Sequence, residues 1–132
     1  AGHRLIEEEA VEVINTRLMP LARVITPNVP EAEILAGCPI SSGDVFDDIA
    51  RQLSGSAGVS VLLKAGHLSG ETLVDYFYNA EDGTMTQLPS KRVQTRNTHG
   101  TGCTLSSAFA AALAKGEDLT AAAVSAISFF KL

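Results

Sequence analysis

The stretch "RVITPNVPEAEILAG", residues 23–37, predicts the fold class, because it passes from a strand to a helix within a few positions. The β-branched run "RVIT" is stopped by Pro27, which fixes its own backbone and donates no hydrogen bond. "PNVPEAEILAG" then supplies a turn and a short helix, and Gly37 is a typical residue after a helix end. A strand followed directly by a helix is the building unit of α/β proteins.

The segments on both sides of this stretch continue the alternation of helices and strands. Before it, apolar residues recur at helical spacing from Ile6 to Met19, and Pro20 follows as a stop signal. After it, residues 45–53 carry apolar side chains at helical intervals, and "GVSVLLKAG" gives a nearly continuous apolar strand from Val59 to Leu63. We therefore expect a second strand that is buried on both faces.

The residues after this strand predict an edge hairpin and two further helices. "TLVDYFYNAEDGTMTQLPSKRVQTR" holds two β-rich runs around the turn signal "EDG", with a third possible strand near Arg92 to Thr95. One helix opens near Thr101 and ends near Gly116, and another follows Asp118 as N-cap. The elements predict an α/β layered fold with a mainly parallel sheet flanked by helices and a hairpin at one edge. Only two strands look central, so we expect a partial domain that belongs to a larger sheet.

Composition and charge exclude several classes of protein. At 132 residues, with 45% hydrophobic and 19% charged residues, the chain is expected to form one globular domain or a large piece of one. The net charge of −5 and the lack of a Lys/Arg block argue against nucleic-acid binding. The sequence shows no signal peptide and no apolar run that spans a bilayer, and Cys38 and Cys103 lack disulfide or zinc-site spacing. We expect a cytoplasmic protein with a small-molecule substrate and no membrane partner.

The Gly-rich turn in "NTHGTGCTLSSAF", residues 97–109, favours anion binding. Its glycines allow backbone angles that other residues avoid, and the helix that follows presents unpaired N–H groups at its first turn. The amides of Gly100, Thr101, Gly102 and Cys103 are therefore candidates to bind a phosphoryl group. The Gly-Lys-Ser/Thr ending of a Walker A loop is absent. The alternative is a tight strand-to-helix connection without a ligand.

Cys103 and His99 each allow two interpretations. A helix start favours the thiolate form of Cys103, whereas most free cysteines are small buried hydrophobic residues, and Cys38 in "AGCPI" is interpreted in that second way. A histidine four residues before Cys103 is compatible with a thiol nucleophile activated by a base. Because the two residues lie in one tight turn, a histidine that structures the loop is the favoured interpretation of His99.

Polar residues follow both central strands at the point where each strand ends. Asn28 and Glu31 lie at a strand-to-helix junction, where a carboxylate and an amide suit a Mg²⁺ ion held partly through water and substrate phosphates. Lys64 ends the run "VSVLLK", a position from which a lysine reaches a phosphate across the same crevice. The alternatives are a turn-forming Asn28, a Glu31 that favours a helix N-terminus and a solvated Lys64. All of these positions suit a polyphosphate with a metal, and their convergence is stronger than any one of them.

Three stretches in this order, "VITPNVPEAEIL", "VLLKAGHL" and "NTHGTGCTLSSAFAAALA", resemble the hydroxymethylpyrimidine and phosphomethylpyrimidine kinases of thiamine biosynthesis, members of the ribokinase-like superfamily. The resemblance extends over essentially the whole chain. "THGTGCTLS" is its most specific part, because most sugar kinases of the superfamily carry an Asp where this sequence has Cys103. The resemblance implies transfer of the γ-phosphoryl group of ATP to 4-amino-5-hydroxymethyl-2-methylpyrimidine and to its monophosphate.

The family motifs also imply roles for individual residues. Cys103 is implied as the catalytic base toward the hydroxymethyl group, and Lys64 as a contact of the nucleotide phosphates. Asn28 and Glu31 match an Asn-x-x-Glu motif associated with Mg²⁺ and with the ATP phosphates. The implied anion hole consists of Gly100, Thr101, Gly102 and Cys103. Thr101 is also implied as a contact of the nucleotide.

The resemblance covers only a part of the family pattern. Family members begin with a Gly-rich segment similar to "DPSGGAG" and further strand and helix units that build the pyrimidine pocket, and nothing in this sequence matches them. Residues 1–132 are therefore interpreted as the C-terminal, nucleotide-side portion of a single ribokinase-like domain, incomplete for activity. We expect it to form a homo-oligomer or to pair with the missing N-terminal half. The alternatives are a pyridoxal-type kinase of the same family, a non-catalytic nucleotide-binding fragment and a cysteine hydrolase that uses Cys103 and His99.

Overall fold

A computed structural model of the chain describes residues 7–40, 45–64, 72–91 and 101–130. These residues form a four-stranded sheet with the strand order β1-β2-β3-β4. The strands are β1 (Val24–Ile25), β2 (Ser60–Leu63), β3 (Thr72–Asn79) and β4 (Thr84–Lys91). The helices are α1 (Glu8–Val13), α2 (Val29–Ala36), α3 (Phe46–Ser54), α4 (Thr101–Ala114) and α5 (Leu119–Phe130).

The sheet combines a parallel pair with an antiparallel hairpin. β1 and β2 run parallel, with Val24 opposite Ser60, because two helices connect them. β3 is antiparallel to both β2 and β4, and the β3–β4 hairpin lies at the edge of the sheet as predicted. The α/β layered fold class is confirmed, although parallel pairing within the described residues is limited to β1 and β2. The possible strand near Arg92 to Thr95 lies outside the described residues.

Helices cover both faces of the sheet. On one face, Val61 and Leu63 of β2 pack in a cluster with apolar side chains of α2 and α3. On the other face, Leu62 packs in a second cluster with side chains of α4 and α5. The side chains of Val61, Leu62 and Leu63 are fully buried, at 0% exposure. This confirms the predicted strand with two covered faces.

Capping residues explain where the helices begin and end. Gly37 ends α2 in the left-handed conformation, with φ +73°, and its N–H donates to the Glu33 carbonyl. Asp118 caps α5 by accepting a hydrogen bond from the Ala121 N–H at 2.7 Å. Gly116, with φ +92°, follows α4. These boundaries agree with those predicted from the sequence.

The predicted helix from Ile6 to Met19 differs in detail. α1 ends at Val13 and continues as a π-helical segment, Ile14–Leu18, and then as a 3₁₀ turn, Met19–Leu21, that contains Pro20. A proline at this position has no N–H to continue an α-helix. Among the helices that the structure describes, none has the length and apolarity needed to cross a bilayer.

Candidate active site

The carboxyl ends of β1 and β2 bring two of the predicted site residues together. Asn28 forms an isolated parallel bridge with Lys64, and the Lys64 N–H donates to the Pro27 carbonyl at 2.9 Å. Parallel neighbours end at the same edge of a sheet, so Asn28 after β1 and Lys64 after β2 lie side by side at that edge. The backbone of Lys64 is thus fixed next to the turn that starts α2.

The start of α2 is organised by Asn28. Its Oδ1 accepts a hydrogen bond from the Glu31 N–H at 2.8 Å, which makes Asn28 the N-cap of the helix. The turn-forming role weighed for Asn28 is therefore present. Glu31 lies in the first turn of α2 with an exposed side chain, where a carboxylate is favoured by the helix dipole.

The side chain of Lys64 reaches the first turn of α4. Its Nζ lies 3.2 Å from the position that a Cβ on Gly102 would occupy. Lys64 is half-buried rather than solvated at the end of its strand. The ammonium therefore adds its charge to the partial positive charge of the α4 N-terminus, at the same edge of the sheet as the N-terminus of α2.

Gly102 does not need the backbone freedom expected for the glycines of this turn. Thr101, Gly102 and Cys103 are the first three residues of α4, and Gly102 has helical backbone angles rather than a positive φ. Any residue adopts this conformation, so backbone freedom does not explain the glycine at 102. Gly100 and His99 lie outside the described residues.

Cys103 is an exposed free thiol in the first turn of α4. The interpretation as a buried hydrophobic residue is therefore wrong for Cys103, whereas Cys38 is half-buried and packs against the core as expected. Cys103 lines one end of an open groove of about 770 Å³ that runs along α4 to Lys115 and includes Phe129 of α5. A small molecule is thus able to approach the thiol.

Packing in the core fixes the position of α4. Leu105, Phe109 and Ala112 are buried in the cluster between α4, α5 and the sheet, and the ring centroids of Phe109 and Phe77 lie 5.9 Å apart. Ser106, which was not predicted as a site residue, donates from Oγ to the carbonyls of Gly102 and Cys103 at 3.1 and 3.2 Å. This contact could have been predicted from the sequence, because a serine in a helix often bonds to a carbonyl three or four residues earlier.

Among the residues that the structure describes, the site offers the carboxylate of Glu31 to a metal ion. Within residues 7–40, 45–64, 72–91 and 101–130, no group of three His, Cys, Asp or Glu side chains lies together as a metal cage. Glu31, with the neighbouring Asn28 amide, offers oxygen ligands of the kind that Mg²⁺ accepts when waters and phosphates complete its shell. The donor set therefore fits a magnesium ion that arrives with a phosphate ligand and does not fit a dedicated protein cage.

Comparison with known proteins points to one family. The family model for phosphomethylpyrimidine kinase matches residues 1–131. The chain belongs to the phosphomethylpyrimidine kinase family. One relative, a hydroxymethylpyrimidine/phosphomethylpyrimidine kinase of Rhizobium meliloti, is 40% identical to this family member over 132 residues. The match covers 98% of this chain and 48% of the relative. The resemblance seen in the sequence is confirmed, and the chain spans about half the length of the curated relatives it matches.

Solved structures show the same fold at the same partial coverage. An ADP complex of Bacillus subtilis pyridoxal kinase matches with a TM-score of 0.84 and 35% identity, over 96% of this chain and 47% of that structure. Pyridoxal kinase from Staphylococcus aureus with AMP-PCP matches with a TM-score of 0.87 and 29% identity, over 99% of this chain and 48% of that structure. The predicted ribokinase-like fold class is therefore confirmed.

Proposed function

We propose that this family member is the nucleotide-side portion of an ATP-dependent kinase for 4-amino-5-hydroxymethyl-2-methylpyrimidine and its monophosphate in thiamine biosynthesis. The observation that carries the proposal is the Lys64 ammonium at the first turn of α4, 3.2 Å from the Cβ position of Gly102. A lysine and a helix N-terminus that converge on one point form a favourable environment for phosphate oxygens. Relatives named as kinases of this substrate support the chemistry.

The phosphates of ATP would lie between Lys64 and the N-terminal amides of α4, with Thr101 among their contacts. Mg²⁺, when bound beside Glu31 and Asn28, would neutralise part of the phosphate charge. The exposed carboxylate of Glu31 supports this role, because it is available to an ion whose remaining ligands are waters and phosphate oxygens. The two pyridoxal kinase structures that match this chain are complexes with ADP and with AMP-PCP, which supports the choice of nucleotide.

Cys103 would act as the catalytic base. Its thiolate accepts the proton of the substrate hydroxymethyl group as the hydroxyl oxygen bonds to the γ-phosphorus of ATP, and the bond from that phosphorus to the bridging oxygen breaks to release ADP. The backbone amides of Thr101, Gly102 and Cys103, with Gly100, would stabilise the charge that develops on the transferred group. The exposure of Cys103 beside an open groove supports this assignment.

The open edge of β1 supports the proposal that the chain is one portion of a larger kinase domain. Among the described strands β1 has a single neighbour, yet Val24 and Ile25 contact the apolar clusters on opposite faces of the sheet. A strand covered on both faces is typical of a sheet interior. Leu18 and Leu21, close to β1 in sequence, are 59% and 83% exposed. We propose that a complementary half-domain covers this edge.

The proposal is tested in a chimaeric kinase, in which these 132 residues replace the matching segment of the Rhizobium meliloti enzyme. We expect ATP-dependent phosphorylation of hydroxymethylpyrimidine, and loss of that activity in Cys103→Ala with nucleotide binding retained. Cys38→Ala is the matched control, because Cys38 is the other free thiol and packs against the core. Undiminished turnover by Cys103→Ala would refute the base role, and a folded but inactive chimaera would favour a non-catalytic nucleotide-binding module.

A pyridoxal-type kinase is the second candidate, because the two solved structures described above are pyridoxal kinases. The chimaera therefore has to be compared on hydroxymethylpyrimidine and on pyridoxal under the same conditions. A higher kcat/KM for pyridoxal would favour the second candidate. We further propose a cytoplasmic location, which the free state of both Cys38 and Cys103 supports.

A further inference from the structure

Gly102 differs from the other glycines that the structure describes. Those at 37, 55, 58, 83 and 116 have positive φ angles, and a Cβ added to any of them would meet nothing within 4 Å. Gly102 shows the reverse, with a helical backbone and a Cβ position that the Lys64 Nζ approaches to 3.2 Å. The five others are explained by backbone conformation, whereas Gly102 is explained by a neighbour that occupies the space of a side chain.

We infer that Gly102 is a positioning residue, which leaves room for the Lys64 ammonium against the first turn of α4. A methyl group 3.2 Å from the ammonium nitrogen is tighter than an ordinary van der Waals contact, so an alanine would displace the ammonium by a few tenths of an ångström or turn it away. The backbone of Lys64 does not move with it, because Lys64 is held by its N–H bond to Pro27 and by its bridge to Asn28. The tip of the lysine side chain takes up the whole displacement.

The consequence for anion binding rests on the proposed function. One phosphate oxygen meets the ammonium and the α4 amides together only if the ammonium lies directly against the turn. We therefore expect Gly102→Ala to weaken phosphate binding through Lys64, in a helix that an alanine otherwise favours.

A thermal double-mutant cycle on the full chain tests the contact without any ligand. The four proteins are the wild type, Gly102→Ala, Lys64→Ala and the double variant. In the Lys64→Ala background, Gly102→Ala introduces a better helix former and lowers the entropy of the unfolded chain. We expect this substitution to raise Tm there by about 2 °C. With Lys64 present, we expect no rise. Lys115→Ala is the matched background, since Lys115 follows α4 at its far end, and there Gly102→Ala should again give no rise.

Equal Tm changes for Gly102→Ala in all three backgrounds would overturn the inference. ADP titration of the same proteins measures an affinity that would not change if Gly102 had a purely structural role. We expect Gly102→Ala to weaken ADP binding by about fivefold when Lys64 is present and to have no further effect in Lys64→Ala. Additive losses would also overturn the inference. Absence of ADP binding by the wild-type chain would count against the proposed function, and the thermal cycle would still decide the role of Gly102.

Discussion

The ammonium nitrogen of Lys64, at the end of β2, lies 3.2 Å from the Cβ position of Gly102, in the first turn of α4. This relationship joins two segments that are far apart in the sequence. It depends on the parallel pairing that fixes Lys64 beside Asn28 and on the apolar cluster that holds α4 against the sheet.

The cap of α2 predicts different outcomes for two substitutions of one residue. Asn28→Ala removes the oxygen that accepts from the Glu31 N–H, and we expect a loss of about 1 kcal/mol in the free energy of unfolding. Asn28→Asp retains an oxygen acceptor at the N-cap and should stay close to the wild type. Urea denaturation of the three proteins measures this. Equal losses for both variants would mean that the hydrogen bond to the Glu31 N–H does not explain the loss.

The packing of α4 predicts a large effect for a buried ring and none for an exposed one. Phe109 is 1% exposed and contacts the ring of Phe77, so Phe109→Ala should lower the free energy of unfolding by about 3 kcal/mol. Phe129 of α5 is 58% exposed, and Phe129→Ala should change that free energy by less than about 0.5 kcal/mol. Denaturant unfolding followed by circular dichroism compares them. A similar loss in both variants would contradict the described packing.

The β3–β4 turn predicts a pH-dependent effect. The hydroxyl and the N–H of Thr84 donate to Asp82, and they hold the pKa of Asp82 below its ordinary value. A carboxyl group with a lowered folded-state pKa stabilises the fold above its unfolded-state pKa, and this stabilisation is lost as the pH falls through the folded-state pKa. Thr84→Val should therefore raise the pKa of Asp82, which an NMR titration of its side chain measures. Its stability difference from the wild type should be present at neutral pH and shrink in acid.

The edge of β1 predicts how a complementary half-domain pairs with this chain. The Ser60 N–H donates to the Arg23 carbonyl, and β-strand alternation then directs the N–H of Val24 away from β2. Val24→Pro removes that donor, whereas Val24→Ala retains it. When the chain is mixed with the part of the Rhizobium meliloti kinase that it does not cover, we expect the alanine variant to associate and the proline variant to fail. Association of both variants, measured by analytical ultracentrifugation, would contradict pairing at this edge.

Local signals in the sequence were sufficient for most of the elements. The continuous apolar run of β2, Gly37 after α2 and Asp118 before α5 each act through residues close in sequence, so their positions were predicted correctly. The sheet order and the antiparallel pairing of β2 with β3 depend on contacts between distant residues, which no local pattern encodes. The π-helical segment at Ile14–Leu18 was also not predicted.

The sequence named the candidate site residues, whose roles stay predictions, and it did not give their geometry. The ends of β1 and β2 were expected to meet, and Asn28 and Lys64 do pair there. The Lys64 side chain lies against Gly102 because β2 and α4 are brought together in the tertiary structure, and no local sequence pattern encodes that contact. The role of Cys103 as a base stays a prediction, and its exposure is what the structure adds.

The most direct measurement is a calorimetric titration of ADP into the wild-type chain, Lys64→Ala and Lys115→Ala. If the end of β2 and the start of α4 bind the nucleotide phosphates, Lys64→Ala will weaken ADP binding by about tenfold and Lys115→Ala will leave it unchanged. Lys115 is the matched control because it is exposed at the opposite end of α4, where the helix dipole offers an anion no attraction. Equal ADP affinity in all three proteins would contradict the phosphate site.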